Sequence, residues 1–144
     1  MASDGGTDLG QLIKSMSPTL HPETYVFGTI PAKSEADYSN VLKLFVGFPV
    51  QMLFREDEGW TVIVAEKVAQ DIQLQSTFPC KKITLNVHSS LDAVGFIAAV
   101  GKRLTELGTG VNPVSGYYHD HLFIPVGKEE MVVDALKKMA LEQE

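Results

Sequence analysis

The clearest hydrophobic pattern lies in the second half of the chain. Lys81–His88 alternates, with Ile83, Leu85 and Val87 on one face and Thr84, Asn86 and His88 on the other; a period of two marks a half-buried strand. Ser89-Ser90-Leu91-Asp92 follows as a run of candidate helix N-caps. Val94, Ile97, Ala98, Gly101 and Leu104 then fall at helical spacing, stopped at Gly108. Val111–Tyr118 and His119–Ile124 read as two more strands. Lys128–Leu141 reads as a final helix with Met131, Val132, Ala135, Leu136 and Met139 inward.

The first half follows a similar order. Residues 1–8 are expected to form a flexible tail, because residues 1–7 are small and polar. Thr7 or Asp8 can cap a short helix with Leu9, Leu12, Ile13 and Met16 on one face. Pro18 and Pro22 are expected to bracket a loop, and Thr24–Ile30, rich in β-formers, reads as a strand ending at Pro31. Tyr38, Val41, Leu42 and Phe45 predict a short helix over 35–46, ended by Gly47 and Pro49. Val50–Arg55 and Trp60–Ala65 flank the acidic turn Glu56-Asp57-Glu58-Gly59 and predict a hairpin, with Trp60 in the core. Glu66–Asp71 predicts one helical turn.

Residues 81–141 thus run β-α-β-β-α, and residues 24–65 run β-(α)-β-β. The predicted fold class is α+β: two ferredoxin-like (βαββαβ-type) units packed into one globule, the first over 9–75 and the second over 80–144. In such a unit the strand after the first helix runs parallel to the first strand, and the third strand inserts between them, antiparallel. Ser89-Ser90-Leu91-Asp92 is then expected beside His119-Asp120-His121. A helix N-terminus there offers N–H groups and a positive dipole end to a carboxylate, Asp120 offers a negative charge to a cation, and Gly95 leaves room for close backbone approach. One end for an anion and one for a cation suit an amino acid.

Composition narrows the function classes. The 144 residues carry a net charge of −6 with no basic block, which argues against a nucleic-acid partner. No apolar run has the length of a membrane span, and the polar N-terminus lacks a signal-peptide core, so a cytoplasmic location is expected. The single cysteine, Cys80, reads as a small core residue. No nucleophile elbow, phosphate-binding loop or dinucleotide fingerprint occurs, so no catalytic residue, enzyme activity or cofactor is predicted.

Four longer segments carry a family resemblance. HSSLDAVGFIAAVGKRLTELG followed by VNPVSGYYHDHLFIP, with LIKSMSPTLHPETYVFGTIP and LFREDEGWTVIVAE, resembles stand-alone bacterial and fungal proteins built of two ACT domains. The similarity spans about Leu9 to Met139. That family is related to the CASTOR arginine sensors and to the regulatory ACT units of aspartate kinases. The resemblance implies a regulatory sensor that binds an amino acid at a helix-opening loop. Carried over, the loop is Ser89, Ser90, Leu91, Asp92, Ala93, Val94, Gly95 and Phe96, joined by Asp120 and His121 of a pattern that begins at Ser115. The counterpart of Asp120 faces a guanidinium in the arginine sensors, so the resemblance implies arginine or lysine as ligand. The CASTOR chains hold four units, so a site between units implies a homodimer here.

Two other functions fit the same residues. A ligand-free dimeric interaction module docking on a metabolic enzyme would use exposed sheet edges. A metal-binding protein would use His119 and His121, on one strand face, with His88 nearby; Asp120 between them points the other way.

Overall fold

Each stretch of alternation or helical spacing becomes an element of the computed structural model, which describes residues 5–31 and 37–143. The elements are α1 (Leu9–Ser15), β1 (Pro18–Pro31), α2 (Asp37–Leu44), β2 (Met52–Arg55), β3 (Gly59–Ala65), α3 (Glu66–Asp71), β4 (Ser76–Leu85), α4 (Phe96–Glu106), β5 (Pro113–Ser115), β6 (Asp120–Pro125) and α5 (Glu129–Glu142). The fold is α+β with two ferredoxin-like units. Contacts group residues 23–80 into one unit, and residues 5–22 with 81–143 into the other.

The inserted unit runs β1-α2-β2-β3-α3-β4 and orders its strands β2-β3-β1-β4. β1 and β3 pair antiparallel from Tyr25↔Ala65 to Pro31↔Gly59, and β2 and β3 from Met52↔Ile63 to Arg55↔Trp60. The helix-facing side chains Val26, Trp60, Val62 and Val64 bury against Val41 and Phe45 of the α2 region and Val68 and Ala69 of α3.

The outer unit runs β4-α4-β5-β6-α5 and takes its fourth strand from the N-terminal part of β1, giving the order β1-β4-β6-β5. β5 and β6 pair antiparallel from Pro113↔Leu122 to Ser115↔Asp120. Ile83 and Leu85 of β4, with Leu122 and Ile124 of β6, bury against Phe96, Val100 and Leu104 of α4 and Val132 and Leu136 of α5. Leu12, Ile13 and Met16 join this core. That burial is why residues 5–22 group with the far end of the chain rather than with the consecutive stretch 9–75.

Several local expectations need correction. Residues 1–4 lie outside the described residues, but the rest of the expected tail is tied down. Gly6 N–H donates to His88 O at 2.8 Å, Ser90 N–H donates to Gly6 O at 2.8 Å, and Asp8 caps α1 through Gln11 N–H. Pro18 and Pro22 lie within β1 instead of bracketing a loop. There β1 ends the strand order of its unit and precedes the pairing with β3, so a missing N–H costs no ladder bond. The expected helix over 35–46 is α2, with residues 35–36 outside the described set. The strand expected over 81–88 ends at Leu85, and Val111–Tyr118 shortens to Pro113–Ser115. The stripe of α4 is Phe96, Val100 and Leu104, not one begun at Val94, which is 84% exposed and precedes the helix. In α5, Met131 lies largely outward.

Cys80 is buried, and its thiol donates to Tyr25 O at 3.4 Å. Burial pushes the thiol up to about 11. The neutral thiol is therefore the folded form, and its contribution to stability is complete below the unfolded value of 9.0 and is lost as pH rises toward 11. A maleimide or disulfide reagent at neutral pH is expected to leave the native thiol unlabelled and to label it after unfolding; rapid native labelling would contradict this. No described helix is long and apolar enough to cross a membrane.

Candidate functional site

Strand alternation sends Asp120 to the helix side of its unit, with Leu122 and Ile124. Asp120 is only 6% exposed, and a carboxylate so placed needs donors. Two serines supply them. Ser115 Oγ, opposite Asp120 in the β5–β6 register, donates to Oδ1 at 2.5 Å, and Ser89 Oγ, in the loop leaving β4, donates to Oδ2 at 3.1 Å. The loop after β4 and the start of β6 thus share one rim.

The rim faces a cleft of about 170 Å³ lined by Ser89, Ser90, Leu91, Ala93, Gly95, Phe96, Ile97, Ala98, Ser115, Gly116 and Asp120. A dry cavity of about 150 Å³ holds a benzene molecule, so the cleft suits a ligand of a few heavy atoms with any longer part reaching through its mouth. Among the described residues no Lys or Arg lines it. Asp120 supplies negative charge, and two of its roughly four acceptor positions remain after the serines are satisfied.

Opposite Asp120 lies the start of α4. Gly95 is its N-cap, at φ 94°, a conformation glycine adopts without strain. A glycine cap brings no side chain, and the first intrahelical bond runs from Ala99 N–H to Gly95 O. The N–H groups of Phe96, Ile97 and Ala98 therefore precede the helical ladder and open an anion-binding end.

The donors are thus not those expected from Ser90 to Val94. Ser90 N–H serves Gly6 O, Asp92 N–H serves Ser90 Oγ at 3.1 Å, and Ala93 N–H serves Ser90 O at 3.0 Å. The Ser-Ser-Leu-Asp run closes its own loop instead of capping a helix. The N-terminal segment braces it, since a Cβ on Gly5 would come within 2.8 Å of the Ser89 and Ser90 backbone. Leu91, 69% exposed, reaches the cleft edge; Asp92 lines only a shallower neighbouring cleft with Tyr117, and Val94 lines neither.

His121 does not belong to this rim. It sits on the other face of β6, where its Nδ1 meets Thr84 Oγ1 at 2.9 Å, and Thr84 Oγ1 meets His21 Nε2 at 2.8 Å. Burial first, then Lys82, His119 and His21, hold its imidazole below the usual histidine range, against an opposite pull from Asp120. His88 lies beside the Tyr117 and Tyr118 rings, not beside the His119–His121 pair. Among the described residues no three His, Cys, Asp or Glu side chains gather as a metal site.

Sequence reasoning placed Ser115 in a pattern but not in the loop, and it missed Ile97, Ala98 and Gly116. Their signal was available in one case only: Ser115 and Asp120 are spaced as facing residues of a tight hairpin.

Two ACT-domain profiles match the chain, over residues 4–81 and 76–138. Their overlap falls on β4, which contributes to both units. No curated protein matches. Among solved structures, a Vibrio cholerae protein of unknown function, described as a possible transport protein, is 37% identical, with 92% of this chain and 95% of that chain covered at a TM-score of 0.76. An Agrobacterium tumefaciens protein is 18% identical (87% and 89% covered, TM-score 0.67), and the regulatory subunit of aspartate kinase from Thermus flavus is 13% identical (85% and 96% covered, TM-score 0.66); these two share the fold. The matches and the strand order agree: the chain belongs to the ACT-domain family and carries two ACT domains in tandem.

Proposed function

We propose that this is a regulatory protein that reversibly binds a free amino acid in the cleft beside Asp120 and catalyses no reaction of its own. One observation carries this: a carboxylate held by two serines and an uncapped helix N-terminus line one cleft of about 170 Å³. The ligand carboxylate rests on the N–H groups of Phe96, Ile97 and Ala98. Its cationic end reaches Asp120, as a charge-assisted pair. Arginine and lysine are the first candidates. The aspartate kinase regulatory subunits share this fold, and control of a metabolic enzyme or transporter in the cytoplasm fits a sensor of this kind.

The same rim favours pairing with a second copy. Leu91, Val94, Tyr117 and Tyr118 expose apolar surface around the cleft, and a homodimer covering them would close its mouth. A ligand-free interaction module would use the same surface.

A thermal-shift panel of the twenty amino acids, with citrulline as the uncharged counterpart of arginine, separates these functions. Ligand at a hundred times its dissociation constant stabilises by about 2.7 kcal/mol. Arginine or lysine is expected to raise the melting temperature and citrulline to leave it unchanged. A flat panel would favour the interaction module, and equal shifts with neutral amino acids would move Asp120 from the side chain to the α-ammonium.

A further inference from the structure

The two ACT units carry the same corner with opposite chemistry. In the outer unit the last residue of β5 pairs with the first of β6, Ser115↔Asp120. At the matching place in the inserted unit, the last residue of β2 pairs with Trp60 of β3, Arg55↔Trp60. Asp120 shares its strand face with the core residues Leu122 and Ile124, and Trp60 shares its own with Val62 and Val64, so each points to the helix side of its unit. A carboxylate with a serine beside it has thus become an indole with an arginine beside it.

We infer that the chain has one amino-acid site, and that the inserted unit fills the equivalent corner permanently with the Trp60 ring. This rests on the proposed function for its count of sites, while the filled corner stands on the geometry alone. Trp60 is 5% exposed. Tyr38, in the first turn of α2, lies over it with ring centroids 5.3 Å apart, and the Arg55 guanidinium carbon sits 5.8 Å from the Trp60 ring centroid. The buried Trp60 ring, with Tyr38 and Arg55 against it, occupies the corner at which Asp120 borders the cleft in the other unit. Arg55, beside the ring, would repel a ligand cation. Two open clefts of the inserted unit, about 540 and 420 Å³, run along Gln73–Thr77 and Gln75–Thr77, and neither is lined by Arg55, Tyr38 or Trp60.

Two measurements on the full chain test this. Trp60→Ala removes the ring and leaves a void of its shape, as large-to-small core changes do, and an apolar void binds a matching apolar molecule. Indole is expected to raise the melting temperature of Trp60→Ala clearly more than that of the wild type. Equal shifts would overturn the filled corner; should Trp60→Ala not fold, Trp60→Leu carries the same comparison. Calorimetric titration of the wild type with L-arginine and L-lysine is expected to show one site per chain, weakened about ten- to a hundredfold in Asp120→Asn. Two sites per chain, or one whose affinity Asp120→Asn leaves unchanged, would overturn the single-site inference. Absence of binding by any amino acid would overturn the functional proposal, with the indole comparison still deciding whether Trp60 fills its corner.

Discussion

Asp120→Asn is expected to weaken amino-acid binding by about ten- to a hundredfold while the chain stays folded. A hydrogen bond to a charged group contributes about 1.5–3 kcal/mol, and each 1.4 kcal/mol is a factor of about ten in affinity. The amide keeps the shape of the carboxylate and one acceptor oxygen, so one serine hydroxyl retains its partner. The other meets an NH₂ group and must turn its own lone pair toward it. That rearrangement lowers stability far less than Asp120→Ala, which would strand both Ser89 and Ser115 at a buried site. The comparison is a calorimetric titration of wild type and variant, with circular dichroism to check the fold. Unchanged affinity would remove Asp120 from the site, and the cation would need another partner.

Phe96→Ala has the largest expected effect on stability. Phe96 is the first residue of α4, is 3% exposed, and belongs to the core of the outer unit. Truncating a buried phenylalanine costs about 3–5 kcal/mol, through lost burial and the void left behind. For a chain of this size that lowers the melting temperature by about 10 °C or more. The same ring also lines the cleft and belongs to the helix turn whose N–H groups precede the helical ladder. Loss of binding should therefore accompany loss of stability, whereas Phe96→Leu should retain most of both. A variant that unfolds earlier yet binds as tightly as wild type at a temperature where both are folded would show that the N–H groups of this turn do not hold the ligand.

Periodicity served well where neighbours along one element decide the outcome. The alternation at Ile83 and Leu85 marks the inward face of β4, and Val132 and Leu136 mark that of α5. It failed where a partner distant in the chain competes. Ser89-Ser90-Leu91-Asp92 has the composition of an N-cap, but Ser89 is taken by Asp120 and Ser90 by Gly6, so the helix starts later, at a glycine with no side chain to cap it. Val94 lies ahead of the helix, so a stripe that starts there is out of phase with the buried Phe96, Val100 and Leu104. His121 was grouped with Asp120 although adjacent residues of a strand face opposite ways; the structure puts it with Thr84 and His21.

From the sequence alone came the α+β class, the ACT resemblance and the meeting of the loop after β4 with Asp120, because strand and helix periods and their order reflect local sterics and solvent exposure. Tertiary structure decided the rest. It assigned residues 5–22 to the unit formed by the far end of the chain, moved the free N–H groups to Phe96, Ile97 and Ala98, and brought the Tyr38 ring against Trp60. Each of these depends on which remote segment satisfies a given polar group or covers a given apolar face, and a local pattern records that such a need exists without naming the partner that meets it.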